Sequence, residues 1–202
     1  MKVIEFFGVP GSGKTTYSQR LIRQLKEKGN KVLIYGDYKQ YNYKKLILKA
    51  LTHRAGRSFC LHMLLLVFKN RLLTKADVLK RGIYCLSFIG FYLSNKGKGY
   101  IVMDEGVVQG AVSALYTYNK RPVDFRGLVK ALSKLSGRYV FIDISPQEAS
   151  SRISLRNTPG HGRLDDIGDV DERIGIITHQ SENFRDFYNA LTPQSKVKRI
   201  QQ

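Results

Sequence analysis

Three observations predict an α/β fold, a doubly wound parallel sheet of about five strands. Short apolar runs rich in β-branched and aromatic residues, the composition of strands buried on both faces, recur along the chain. Amphipathic helical stretches separate them. The first strand-to-helix junction reads Gly8-Val-Pro-Gly-Ser-Gly-Lys14-Thr15, a match to G-x-x-x-x-G-K-[ST] in the strand-then-helix setting that gives this pattern a mechanism.

The first strand is expected at 3–7 and its helix at 15–28. Between them Gly11 and Gly13 let backbone approach a ligand closely, and Pro10 stiffens the turn. The bend from Gly8 through Ser12 to Thr16 aims successive N–H groups and a helix N-terminus at one point, where the β-phosphate of a nucleoside triphosphate would be cradled. Lys14 then reaches the β/γ oxygens and Thr15 the Mg²⁺.

A second strand follows at 31–35, helices across 40–95, a third strand at 100–103, a fourth at 139–143 and a last one near 196–200. Between the second and third strands roughly sixty residues are spent on helices, about twice what a minimal crossover needs, so a helical insertion over about 40–98 is expected above the substrate side. Thr74 marks a helix start before 75–94. Ser145-Pro146-Gln147-Glu148 combines a capping box with proline at the first helical position. Asp169 with Glu172 makes a second box, and the helix it opens has Ile174, Ile177, Phe184, Tyr188 and Leu191 as its expected core face.

With 202 residues, 43% hydrophobic and 25% charged, the chain is sized and composed as a single globular domain over 1–202, which excludes a disordered class. Cys60 and Cys85 lie in apolar helical stretches without metal or redox spacing and read as reduced core thiols of a cytoplasmic protein. The chain opens directly on a core strand, leaving no room for a leader, and the apolar run from Phe59 to Phe68 is too short to span a bilayer. A soluble protein is expected.

The formal charge of +18, from 34 basic against 16 acidic residues, attracts polyanions over a Debye length. Polyphosphate substrates, nucleic acid, an anionic membrane surface and a basic surface without a specific partner all fit it. The apolar faces of 57–73 and 75–94 allow a homodimer, and core burial explains them equally.

The third strand ends in Asp104, a carboxylate at the edge that lies beside the phosphate loop in a parallel sheet. This is the Walker B position, where Asp104 holds Mg²⁺ or its water and the adjacent Glu105 could also act. Here the chain resembles the P-loop kinases that include thymidylate kinases, deoxynucleoside kinases and adenylylsulfate kinases. The likeness rests on GVPGSGKTT at 8–16, an acidic residue at Asp37, DEGVVQGAVSALY at 104–116 and FIDISPQEASSRISLRNTPGHGR at 141–163.

The resemblance implies that Arg152, Arg156 and Arg163 stand where the family carries arginines leading into a mobile lid, here about 156–169. The physical logic is independent: fixed guanidinium groups stabilise charge spread over a transferring phosphoryl group without reorganising. It also implies that Asp37 takes the proton from an acceptor hydroxyl. Glu105, Arg81, Gln109 and Arg121 are acceptor-binding candidates. Two departures from the family pattern stand out, the first weakening a mononucleotide acceptor and the second leaving donor-base recognition loose or borrowed. Glu105 occupies the place where thymidylate kinases usually carry a phosphate-gripping arginine, and the sequence ends at Gln202, just past the last strand that precedes the family's adenine loop.

The expected activity is ATP- and Mg²⁺-dependent phosphoryl transfer to a small polar acceptor bearing a hydroxyl, of nucleoside, nucleotide or sugar type. Two rivals stay open: a kinase acting on a nucleic-acid end or a membrane-borne glycan or lipid, and a nucleotide-binding switch without catalysis.

Overall fold

A computed structural model of the chain describes residues 2–38, 40–69, 76–95, 97, 99–116, 123–135, 137–155, 164, 167–194 and 196–201. Five strands, β1 (Lys2–Phe7), β2 (Val32–Leu33), β3 (Tyr100–Met103), β4 (Gly137–Asp143) and β5 (Lys196–Gln201), form one sheet in the order β2-β3-β1-β4-β5. Every pairing is parallel. The connections run to opposite sides of the adjacent strands β1 and β4, so the crevice expected of a doubly wound sheet opens at their C-terminal ends.

Alternation along β1 feeds two cores. Ile4 and Phe6 join Leu25 of α1 (Lys14–Glu27), Val102 and Ile142 in the smaller one. Val3 and Phe7 face a larger core continuous from the sheet through α3 (Tyr43–Thr52), α4 (Arg54–Lys69), α5 (Ala76–Ser94), α6 (Val107–Tyr116), α7 (Arg126–Leu132), α8 (Pro146–Ser154) and α9 (Val170–Leu191). Phe7 is at its centre, stacked on Phe141 at 5.2 Å between ring centroids and edge-on to Phe187 at 6.3 Å. The expected helical insertion therefore shares the sheet's own core. Its helices approach each other at backbone distance: a Cβ on Gly90 of α5 would lie 1.9 Å from Leu46 O of α3.

Several elements depart from the sequence reading. β2 is two residues rather than 31–35, because as an edge strand it pairs only with Tyr100 and Ile101. The chain then turns into the short helix α2 (Tyr35–Tyr38). Helices α6 and α7 were not foreseen: α6 is apolar almost throughout and buried, which erases the amphipathic period, and α7 has only seven residues. Both helix starts in the second half hold, with Glu148 N–H donating to Ser145 Oγ at 3.2 Å and Glu172 N–H to Asp169 Oδ1 at 2.9 Å. The first box is not reciprocal, since the Glu148 carboxylate pairs forward with Arg152. On α9 the buried face is Arg173, Ile177, Phe184, Phe187 and Leu191, while Ile174 and Tyr188 are half-buried. Thr74 lies outside the described residues. Both cysteines are free thiols, Cys85 buried and Cys60 half-buried. Among the described residues no helix is long and apolar enough to cross a membrane.

Candidate active site

The loop between β1 and α1 holds Gly8, Gly11 and Gly13 at φ of 149°, 81° and 86°, a region that L side chains rarely enter. Space enforces glycine at two of them. A Cβ on Gly11 would stand 2.5 Å from Ala149 O of α8, and one on Gly8 would stand 2.5 Å from Ile142 O at the end of β4. The loop is thus seated against β4 and α8, in the crevice where the connections diverge. Ser12 is buried at the bend, its N–H donating to Val9 O at 3.2 Å, and Pro10 is half-buried. Gly13 caps α1 without a side chain, leaving the first amides of the helix, with exposed Thr15 and Thr16, turned to the mouth of the loop.

Lys14 is buried and folds back over the loop, its Nζ donating to Gly8 O at 3.0 Å and Val9 O at 2.9 Å. Thr15 Oγ1 donates to Asp104 Oδ2 at 2.7 Å. Two hard oxygen donors thus meet at the helix N-terminus, and they fit Mg²⁺, which takes one or two protein oxygens and completes its shell with phosphate and water. Among the described residues no group of three or more His, Cys, Asp or Glu could hold a metal by protein ligands alone. The donor set suits a metal that arrives with a polyphosphate.

Directly beneath lies a residue that the sequence reading missed. Glu5, on the Val3 and Phe7 side of β1, is fully buried and caps the N-terminus of α6 from a distance. Its Oε1 accepts from Val108 N–H at 2.7 Å and Gln109 N–H at 3.0 Å, and its Oε2 from Val107 N–H at 3.1 Å and the Tyr92 hydroxyl at 3.5 Å. Burial pushes its carboxyl up to about 7, against the pull of those donors. A Cβ on Gly106 would lie 2.6 Å from this carboxyl carbon. The available signal was a lone carboxylate on the core face of an otherwise apolar strand. Burial also raises the thiol of Cys85 and the phenols of Tyr92 and Tyr139 nearby, leaving Cys85 an unreactive thiol.

Gln109 extends this network to the loop. Its Oε1 accepts from Gly8 N–H at 3.1 Å, and its Nε2 donates to Ser113 Oγ at 3.3 Å. Glu5, the start of α6, Gln109 and Gly8 therefore tie the segment after Asp104 to the first residue of the phosphate loop. Asp37, in α2, has Oδ2 accepting from Ile34 N–H at 2.8 Å, and it follows β2, the strand next to β3, which ends just before Asp104. Arg152 lies one turn beyond Ala149, the residue that abuts Gly11, and pairs with Glu148 at 2.6 Å. Glu105 is exposed, and Arg81 is half-buried on α5 with its charge drawing the Cys85 thiol down. Arg121, Arg156 and Arg163 lie outside the described residues.

Two more clusters brace the crevice. Asp143, buried at the end of β4, is gripped by Arg185 of α9 at 3.1 Å and by Arg199 of β5. Arg173 of α9 is itself buried and donates to Ser150 O, Ser154 Oγ and Ile167 O, joining α8 to α9 by hydrogen bonds.

An all-parallel sheet in this order, with a glycine-rich loop leaving its central strand, is a fold found in nucleoside kinases of known structure. Solved structures of deoxyadenosine kinase from M. mycoides share it. One with bound dCTP is 19% identical with a TM-score of 0.52, covering 100% of this chain and 90% of that one. A second, with products dCMP and a flexible dCDP bound, is 16% identical with a TM-score of 0.51, covering 99% and 89%. A third, with bound dATP, is 16% identical with a TM-score of 0.50, covering 100% and 91%. No protein-family model matches the sequence, and no curated protein matches it.

Proposed function

We propose that this chain is a cytoplasmic kinase that transfers the γ-phosphoryl group of ATP, with Mg²⁺, to a hydroxyl of a small polar acceptor of nucleoside, nucleotide or sugar type. The observation that carries the reading is the contact of Thr15 Oγ1 with Asp104 Oδ2 at the start of the helix that Lys14 opens. A cation, two metal-ligating oxygens and a row of backbone amides converge there, the set that phosphoryl transfer requires. The likeness in fold to deoxyadenosine kinases supports a nucleoside-type acceptor.

The loop amides and Lys14 bind the β- and γ-phosphates, and Thr15 with Asp104 holds the metal. Mg²⁺, when bound, neutralises charge on the phosphate oxygens. Asp37 accepts the proton of the acceptor hydroxyl as that oxygen bonds to phosphorus and the bond from phosphorus to the β-phosphate oxygen breaks. Arg152, with Arg156 and Arg163 of the 156–169 segment, stabilises the charge on the group in transit. Within the helical segment 40–98, Arg81 of α5 is the candidate partner of the acceptor.

The test is phosphoryl transfer from ATP across a panel of nucleosides, nucleotides and sugars, read as ADP release. With the accepted substrate, Lys14→Ala lowers kcat by about 10²-fold or more with the circular dichroism spectrum unchanged, since it removes a charge at the γ-phosphate and little core packing. Undiminished turnover in that variant refutes the assignment.

A further inference from the structure

Helix α4 is apolar on two sides. Phe59, Met63, Leu66 and Val67 are buried in the main core. Leu61, Leu64, Leu65 and Phe68 are 56%, 49%, 56% and 71% exposed. Their spacing of i, i+3, i+4 and i+7 puts all four on one stripe, a contiguous apolar face that a protein surface rarely leaves to water. Arg57 and Arg54, four and seven positions before Leu61, extend the same stripe toward the N-terminus of the helix, and both are exposed. Lys69 is exposed at the other end. Neighbouring α3 adds exposed Leu48, Lys44, Lys45 and Lys49.

What covers this face is decided by charge. No Asp or Glu stands anywhere between Asp37 and Asp77. A second copy packed stripe to stripe would bring together the arginines and lysines of two segments that hold no carboxylate of their own, on chains that each carry +18. The nearby Asp124, which feels Lys69, is already paired with Arg126. An anionic bilayer answers both features at once. Its headgroup phosphates pair with the cations, and its acyl chains take up the four side chains, the arrangement of a helix lying in the interfacial plane.

We propose that α4 docks flat on an anionic lipid surface, with Leu61, Leu64, Leu65 and Phe68 buried at the boundary of headgroups and acyl chains. The face is built from residues outside the phosphate-binding site, so the docking does not depend on the reaction proposed above. It gives the positive charge of the 38–76 segment a specific partner.

The chain contains no tryptophan, so Phe68→Trp supplies a single reporter. Its emission shifts to the blue with vesicles of phosphatidylcholine mixed with phosphatidylglycerol and stays unshifted with pure phosphatidylcholine. Co-sedimentation of the full chain with the mixed vesicles weakens as salt is raised. The double substitution Leu61→Glu and Leu65→Glu lowers that partitioning by about tenfold or more. Both side chains point outward, so thermal melting and ATP affinity measured by calorimetry stay as in the parent. The proposal is overturned if the parent chain ignores anionic vesicles, or if the double variant binds them equally. It is also overturned if sedimentation velocity finds a dimer that the double variant dissolves, because a second copy then covers the face.

Discussion

Glu5→Gln isolates the buried carboxylate under α6. The folded chain holds the Glu5 proton up to about 7 against an ordinary 4.5, because burial penalises the anion more than the three amide donors reward it. At about 1.4 kcal/mol per pKa unit this corresponds to about 3 kcal/mol. The sign follows from linkage. Below pH 4.5 both folded and unfolded chains carry the proton, so the full contribution to stability is present. Between 4.5 and 7 the unfolded chain has released its proton while the folded chain keeps it, and stability falls as pH rises until the folded group also ionises. Above 7 the loss is complete. Glutamine keeps the Oε1 bonds to Val108 and Gln109 and does not titrate. The assay is urea unfolding of parent and variant in parallel at steps from pH 4.5 to 8. The parent loses about 3 kcal/mol relative to the variant across that range. Parallel curves, or a parent that gains on the variant as pH rises, refute the account of Glu5 as a desolvated carboxylate.

Three further outcomes follow from the geometry. Gly11→Ala forces a left-handed backbone on alanine, costing about 1–2 kcal/mol, and drives a methyl into Ala149 O; differential scanning calorimetry shows a lower Tm, and isothermal titration shows weakened ATP binding. Asp143→Ala strands Arg185 and Arg199, whose side chains are 44% and 41% exposed and can turn to water, so the loss by urea titration is about 2 kcal/mol rather than the larger cost of a fully enclosed pair. If Asp104 ligates Mg²⁺ as proposed, Asp104→Asn makes ATP affinity lose its dependence on Mg²⁺ in calorimetry while binding without metal persists.

Legibility in the sequence followed the range of the physics involved. The phosphate loop, α1 and the two caps at Ser145 and Asp169 were readable because each is a contiguous string whose hydrogen bonds close within three or four residues. Asp104 was readable as the polar end of an apolar strand. What escaped depends on partners far along the chain. Glu5 meets Val107, Val108 and Gln109 about a hundred positions away, and the one local hint, a carboxylate on the core face of an apolar strand, does not say which amides it caps. Gln109 was singled out for an acceptor, while the structure sets its amide against Gly8. Helix α6 hid for a related reason: nearly all of it is buried, and its one polar pair, Gln109 and Ser113, is too narrow a face to count by. Strand β2 was overextended because its apolar composition does not reveal that only one neighbour pairs with it.

Among the described residues strand β5 ends the sheet as an open rim, bonded only to β4 and carrying exposed Lys196 and Lys198. An unpaired rim invites a stranger's backbone, and ammonium groups spaced along it make that union a meeting of like charges. The opposite rim, β2, is too short to template anything. Among the described residues both borders of the sheet are thus guarded against fibrous association, one by charge and the other by brevity.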